Sequence, residues 1–453
     1  MTLVSTFNDH ILSNQYLDYY YGFSSHIESL KYLDLESVQA SYSQILAGDK
    51  VNVSENRSVT HFQARSLASD HRQLIAFIDN IHSSKTFSSI CHIGVGGSFS
   101  GVKFVSHALN TWSQPQHIPL TFISNHDEDH IESVLSQLDV SKTLFVIVSK
   151  SGTTIEVEKI LEAVIHSQKN PNFIKEQCIT VTMEGSLLDS NDYLDSFTFD
   201  EGVGGRFSTT SYVGLVSLGL SYGVKVLNDL LEGARLSDDH SMLGLSENMA
   251  LMQATHRFFQ QQKYKALSVV PYGQALSHLP VFMGQLICES LGKSITKKSE
   301  ALAHSPAPYL MHGVGPEAQH TFFQQIHQGL DVIPVEFLFS MPTTDNQTHM
   351  LKQIIGQMVS LYEGHKNDDL NYSFSGNRPS TLTIFKSRSA AGLGYFISMF
   401  ENRIIFEGIL NNINPFDQPG VELGKKITAS IDDETSKAYQ IYDIVRDQLN
   451  VKS

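Results

Sequence analysis

The chain has 453 residues, of which 41% are hydrophobic, enough for about two or three globular domains. Its formal net charge is −15. This charge disfavours nucleic acids and anionic membranes as partners, because proteins that bind them usually present a basic face. An anionic substrate would therefore have to be captured locally, for example by backbone amides at the start of a helix.

The distribution of apolar residues and cysteines predicts a cytoplasmic protein. No segment approaches the roughly 20 consecutive apolar residues of a membrane span. The first residues show no basic stretch followed by an apolar run, so no secretion signal is expected. The three cysteines, Cys91, Cys178 and Cys288, are far apart, which argues against a disulfide framework and a thiolate metal site.

Residues 1–82 are predicted to be mainly helical, with apolar spacing near 3.6 over residues 66–81. Short apolar segments then alternate with helical patterns. The predicted strands of the first half are 87–95, 119–124, 143–149 and 177–183. A long helical region covers about 206–263, after which strands are predicted at 266–272, 329–339 and 380–385. This alternation is typical of parallel sheets with helices on both faces.

The pattern predicts an α/β protein with two consecutive doubly wound parallel-sheet domains. We expect a helical N-terminal segment at 1–82, a first α/β domain at 83–235, a second at 236–430 and a C-terminal helical tail at 431–453. Helical patterns over 396–410 and 435–449 support the helical ending.

Two turns between a strand and a helix are candidates for binding an anion. Residues 94–98 (GVGGS) combine glycines, which let the backbone approach a ligand, with a hydroxyl. Residues 149–154 (SKSGTT) offer four hydroxyls and a lysine at a helix start. Ordinary turn and helix-capping roles remain open for both segments. The second segment does not match the nucleotide-binding pattern GxxxxGK[ST].

Glu289 is a candidate general base near the end of a predicted helix, where Gln285, four residues earlier, shares its face. Arg206 follows Gly204 and Gly205, a flexible run that could direct a guanidinium into a cleft. The alternatives are a solvated glutamate at a helix end and an arginine held by a salt bridge in a loop.

His320 and Lys425 are weaker candidates on their own. The chain contains 20 histidines, and His327 competes with His320 on the same segment. Lys425 adjoins Lys426, a pattern most often found at a solvated surface.

Taken together and in this order, six segments resemble the phosphoglucose isomerase family. They are IGVGGSFSG, SKSGTT, GVGGRFSTTSYVG, GQLICESLGK, GPEAQHTFFQQIHQG and FDQPGVELGK. The GGRFS and FDQxGVELGK segments are highly specific. SKSGTT is shared with sugar-isomerase (SIS) domains in general, so the resemblance implies a SIS-type fold for each half.

The resemblance also implies a role for each candidate residue. Glu289 would move a proton between C1 and C2 of glucose 6-phosphate and fructose 6-phosphate, while Arg206 would stabilise the enediolate. His320 and Lys425 would assist ring opening, and Gln285 would contact the sugar. The residues expected to hold the phosphate are Gly97, Ser98, Ser149, Lys150, Ser151, Thr153 and Thr154.

The same resemblance implies an enzyme of glycolysis and gluconeogenesis that needs no metal or organic cofactor. It also implies a homodimer in which the histidine can come from the neighbouring subunit. Two alternatives stay open: an isomerase that also accepts mannose 6-phosphate or another ketose phosphate, and a non-catalytic sugar-phosphate sensor. The sensor would need the phosphate turns but not the acid–base residues.

Overall fold

The structure, a computed structural model, describes residues 10–23, 33–66, 70–168 and 170–449. Contacts between residues divide the chain into a large unit that ends at Pro415 and a small unit that begins at Phe416. The predicted domain borders at 82, 235 and 430 remain predictions.

Within the described ranges, the strands of the large unit form two sheets. In chain order the strands are β1 (Ile11–Ser13), β2 (Leu17–Tyr20), β3 (Ser89–Ile93), β4 (Leu120–Ile123), β5 (Thr143–Val148), β6 (Cys178–Met183), β7 (Asp195–Phe199), β8 (Ala266–Tyr272), β9 (Tyr309–His312), β10 (Val335–Ser340) and β11 (Ser380–Phe385).

The α-helices of the described residues cover the sheets and form the small unit. In chain order they are α1 (Leu35–Leu46), α2 (His61–Ala64), α3 (Arg72–Ser84), α4 (Ser100–Thr111), α5 (Glu128–Leu135), α6 (Ile155–His166), α7 (Phe173–Gln177), α8 (Tyr212–Tyr222), α9 (Val224–Ser241), α10 (Met249–Gln260), α11 (Leu279–Leu291), α12 (Gly315–Gln319), α13 (Phe323–Gln328), α14 (Asp345–Glu363), α15 (Ala390–Leu410), α16 (Glu422–Ala429) and α17 (Lys437–Leu449).

The first sheet is parallel throughout, in the order β4-β3-β5-β6-β7. Both faces are covered. Cys91 and Ile93 of β3 pack in a cluster with Val157 and Ile160 of α6, while His92 faces Ser217 of α8. Every residue of β3 and β5 is buried, as expected for central parallel strands. The prediction of a parallel sheet between two helical layers is confirmed here.

The second sheet has the order β1-β2-β11-β10-β8-β9. Strands β8 to β11 run parallel to one another, as predicted. The N-terminal hairpin of β1 and β2 adds an antiparallel edge on β11. Residues 11–13 and 17–20 are therefore strands, whereas the sequence predicted a mainly helical segment. Half-exposed β1 lacks the continuous apolar run that identifies buried strands.

The predicted helical region at 206–263 contains three successive helices, α8, α9 and α10. Gly223 separates the first two with a φ of 88°, a value that favours glycine. The predicted helix over 66–81 is α3 in the structure; residues 67–69 lie outside the described part.

Helix α15 is buried along almost its whole length and packs against α9. Glycines make this close approach possible. A Cβ at Gly233 would lie 1.9 Å from the Ala391 carbonyl oxygen, and one at Gly394 would lie 1.9 Å from that of Leu230. Among the described residues, no helix combines the length and apolarity that a membrane crossing requires.

Candidate active site

Two turns follow β3 and β5, which are neighbouring parallel strands, so both lie at the same edge of the first sheet. We call residues 94–98 the glycine turn and residues 149–154 the hydroxyl turn. The glycine turn contains a short 3-10 helix, Gly96–Ser98, and Gly96 has a φ of 56°. In open α/β sheets this carboxyl edge is where ligands bind.

The hydroxyl turn leads into α6, and its side chains bond one another. Ser149 Oγ and Thr154 Oγ1 are 2.9 Å apart, and Ser151 Oγ and Thr153 Oγ1 are 2.8 Å apart. Thr154 occupies the N-cap of α6 but makes no side-chain capping bond. Its hydroxyl is therefore not used as a helix cap, and the first N–H groups of α6 remain suited to an anion.

Lys150 directs its ammonium away from these hydroxyls. Nζ donates to the carbonyl oxygens of Glu201 (2.5 Å) and Val203 (3.0 Å). Burial, together with nearby Arg57, lowers the pKa of Lys150 to about 8. The side chain thus ties the hydroxyl turn to residues 200–207, which we call the arginine loop.

The arginine loop follows β7 and touches the glycine turn backbone to backbone. A Cβ at Gly97 would lie 2.2 Å from the carbonyl carbon of Gly205, so only glycine fits there. Ser208 Oγ donates to the Gly205 carbonyl oxygen at 2.6 Å and braces the end of the loop. Arg206 is consequently placed beside Gly97 and Ser98.

The guanidinium of Arg206 is almost fully buried, with 2% of its side chain exposed. Nε donates to Ser290 Oγ at 2.6 Å, and Nη2 donates to the Pro415 carbonyl oxygen at 2.6 Å. Nη1 lies 3.2 Å from Glu289 Oε2. These contacts fix the planar guanidinium in one orientation against the Glu289 carboxylate.

Glu289 lies in the last turn of α11, and 31% of its side chain is exposed. Its other oxygen, Oε1, accepts a hydrogen bond from Gln285 Nε2 at 3.1 Å. Gln285 also lies over the glycine turn, since a Cβ at Gly96 would come within 3.4 Å of Nε2. Helix α11 therefore brings the carboxylate to the edge of the sheet that carries both turns.

The remaining two candidates lie on other elements. His320 is exposed at the end of α12, and within the described part of the chain its ring makes no hydrogen bond or ion pair. Lys425 lies on α16 of the small unit, where its ammonium pairs with Glu422 Oε1 at 2.9 Å. The described residues thus bring together Gly97, Ser98, Arg206, Gln285 and Glu289, with the hydroxyl turn attached through Lys150.

Three supporting residues were not predicted from the sequence. His92 is fully buried, and its ring contacts the Ser98 carbonyl oxygen (2.6 Å) and Ser217 Oγ (2.8 Å). Ser100 contacts Gln285, and Ser290 contacts Arg206. A histidine inside the apolar run SICHI was the one signal that could have identified His92.

The arrangement combines a sheet edge suited to an anion with a carboxylate and a guanidinium 3.2 Å apart. A carboxylate can move a proton, and a fixed positive charge can stabilise an anionic intermediate. Among the described residues there is no group of three or more histidine, cysteine, aspartate or glutamate side chains that could hold a metal ion.

The chain is similar to several known proteins. A crystal structure of a glucose-6-phosphate isomerase from Chlamydia trachomatis D/UW-3/Cx superimposes with a TM-score of 0.90 at 28% identity, covering 98% of this chain and 94% of that one. The glucose-6-phosphate isomerase of Borreliella afzelii (strain PKo) is 32% identical over 449 residues, covering 88% of this chain and 84% of the relative. The glucose-6-phosphate isomerase of Chlamydia pneumoniae is 37% identical over 372 residues, covering 79% of this chain and 70% of the relative.

The family model described as phosphoglucose isomerase matches residues 24–445, nearly the whole chain. The chain therefore belongs to the phosphoglucose isomerase family.

Proposed function

We propose that this protein interconverts D-glucose 6-phosphate and D-fructose 6-phosphate, in glycolysis and gluconeogenesis, with Glu289 as the base. The observation that carries the proposal is the placement of the Glu289 carboxylate. It is half-buried, held between Arg206 and Gln285, and located above the glycine turn of the first sheet. Family membership and the names of the relatives point to the same reaction.

The phosphoryl group binds at the carboxyl edge of the first sheet. Ser98 and the hydroxyls of Ser149, Ser151, Thr153 and Thr154 donate to its oxygens, with the start of α6 adding backbone N–H groups. Two facts support this assignment: the Thr154 side chain does not cap α6, and among the described residues the hydroxyls of the hydroxyl turn bond one another or the local backbone. Anchoring the phosphate uses remote binding energy to orient C1 and C2.

Proton transfer follows ring opening. Glu289 removes the proton from C2 of the open-chain aldose, and the electron pair moves through C1 to O1, giving a cis-enediolate. The carboxyl group then returns the proton to C1, while the O2 hydroxyl proton passes to O1 and C2 becomes the carbonyl carbon. The buried guanidinium of Arg206 offsets the charge of the intermediate.

His320 and Lys425 assist ring opening by exchanging a proton with the ring oxygen and the C1 hydroxyl. His320 is exposed and its ring is without a hydrogen bond in the described part of the chain. This is consistent with a homodimer in which His320 completes the site of a second copy. Carboxylate, imidazole, ammonium and guanidinium groups cover the proton and charge transfers, so the proposed reaction uses no cofactor.

Glu289→Gln tests the base directly, because it keeps the size of the side chain and one acceptor oxygen but removes the proton-accepting carboxylate. Turnover of fructose 6-phosphate, measured with a coupled assay in the presence of EDTA, should fall at least about a hundredfold. Binding of a sugar phosphate, measured by calorimetry, should persist.

The matched control is Glu132→Gln, an exposed glutamate on α5 that should leave turnover unchanged. Retained turnover in Glu289→Gln would remove the base assignment. A wild-type protein that binds sugar phosphates without converting them would instead indicate a sensor. Running the same assay with mannose 6-phosphate shows whether the isomerase is broader than proposed.

A further inference from the structure

Ser100 is a buried hydroxyl at the start of α4, two residues after Ser98. Its Oγ donates to Gln285 Oε1 at 2.8 Å. A serine at a helix start commonly caps the backbone. Here the N-cap is Phe99, which makes no side-chain capping bond, and the Ser100 hydroxyl is directed to α11 instead.

The hydrogen-bond partners of Gln285 determine how its amide is oriented. The ionised carboxylate of Glu289 can only accept, so the Gln285 NH2 group must face it, at 3.1 Å. The amide oxygen then faces Ser100, whose hydroxyl is able to donate. Two hydrogen bonds with consistent donors and acceptors thus connect Ser100 to Gln285 and Gln285 to Glu289.

We propose that Ser100 is a positioning residue for the isomerisation, acting through Gln285 on the Glu289 carboxylate; this rests on the function proposed above. Without the hydroxyl, the amide oxygen loses its donor in a half-buried site and the Gln285 side chain can rotate about its terminal bond. Oε1 of the Glu289 carboxylate would then lose the fixed Gln285 donor. Ser98, the last residue of the glycine turn, lies two residues before Ser100, so the proposed phosphate contact and the proposed positioning residue are close neighbours in the chain.

Ser100→Ala is the first test. Alanine is well tolerated in a helix, so the fold should be kept. We expect kcat for fructose 6-phosphate to fall about three- to tenfold, the range that one neutral hydrogen bond supports, with KM nearly unchanged. Ser100→Thr retains the hydroxyl and should recover most of the lost kcat.

A matched control variant and a double variant distinguish a positioning role of Ser100 from a general effect on protein stability. Ser106 is buried on the same helix, and its hydroxyl contacts Tyr222, so Ser106→Ala should leave kcat unchanged. In a Gln285→Leu background the hydrogen bonds from Ser100 to residue 285 and from residue 285 to Glu289 are already absent. Ser100→Ala should therefore have no further effect on kcat there.

The inference fails if Ser100→Ala leaves kcat unchanged, or if it lowers kcat equally with and without the Gln285 amide. An equal loss in Ser106→Ala would also overturn it, because the effect would then be structural. These results are independent of the Glu289→Gln test, which decides the proposed function itself.

Discussion

Lys150 is the residue through which the hydroxyl turn holds the arginine loop. Its ammonium donates to two carbonyl oxygens of that loop, those of Glu201 and Val203. Arg57 Nη1 also contacts the Glu201 carbonyl oxygen, at 3.2 Å. The loop therefore receives two cationic donors just before it reaches Arg206.

Replacing Lys150 with Met should disturb Arg206 more than it disturbs phosphate binding. Hydrogen bonds to charged groups are typically worth about 1.5–3 kcal/mol, so we expect kcat to fall roughly 10- to 100-fold. Backbone amides of residues 202–206 should exchange hydrogen faster, which mass spectrometry can measure.

Lys159→Met is the control, since that ammonium lies on α6 and pairs with the exposed Glu162. In this variant, kcat and the hydrogen exchange of residues 202–206 should both match the wild type. A Lys150→Met protein with normal kcat and a raised KM would show that Lys150 binds the phosphate directly, as the family resemblance implied.

At the scale of single residues, the sequence identified candidate site residues that are recognisable from their chemical type and their spacing along the chain. Gln285 and Glu289 were expected to share a helix face, and they are in contact at 3.1 Å. Ser100 and Ser290 were missed because their partners lie far along the chain, where no periodic pattern reaches. The direction of the Lys150 side chain depends in the same way on a loop some fifty residues away.

At the scale of elements, β3 carries a buried histidine that supports the glycine turn. Burial lowers the pKa of His92 to about 4, although its bond with the Ser98 carbonyl oxygen partly opposes the shift. Neutral His92 donates through Nε2 to Ser98 O, which leaves Nδ1 to accept from Ser217. The strand and the turn therefore depend on an uncharged imidazole.

This shift makes stability depend on pH. In the unfolded chain His92 takes up a proton as pH falls through about 6.5, whereas in the folded protein it does so only near pH 4. The His92 contribution is thus complete above pH 6.5 and is lost as pH falls from 6.5 to 4. Over that window the loss of this contribution should lower the free energy of unfolding by about 3 kcal/mol.

Denaturant unfolding of the wild type and of His92→Gln at several pH values measures this contribution. The variant should be less stable than the wild type at pH 7. Its free energy of unfolding should then fall less between pH 6.5 and pH 4, because it has no histidine at position 92 to take up a proton. His126→Gln, an exposed control, should follow the wild-type curve. Parallel curves for wild type and His92→Gln would contradict the assignment.

Among the elements, the buried central strands were the easiest to predict. β3, β5, β6 and β8 are nearly continuous apolar runs because both faces are covered. The strands that were missed, β1, β2, β7 and β9, lie outside those central positions in the two sheets. Short, half-buried strands of this kind carry a weak periodic signal.

At the scale of the whole molecule, the proposed homodimer gives a complementation test. Mix Glu289→Gln and His320→Ala chains, unfold them together and refold them. If each site takes Glu289 from one chain and His320 from the other, every mixed dimer holds one intact site. Random pairing should then restore about a quarter of wild-type turnover, although each variant alone is inactive.

Variants that are refolded separately and then mixed provide the control, since no exchange of subunits is expected before assay. No recovery after joint refolding would place Glu289 and His320 of one site on the same chain. An active His320→Ala protein would show that ring opening does not need this imidazole.

The antiparallel edge of the second sheet has a consequence for synthesis on the ribosome. Leu17 pairs with Phe385, so the hairpin emerges roughly 370 residues before the strand it must join. At about 5–20 residues per second, translation leaves it without that partner for roughly 20–70 s. During this interval Leu17 and Tyr19, both buried in the finished fold, have no native cover from β11. A nascent chain stalled before residue 380 should therefore expose the hairpin to protease or chaperone.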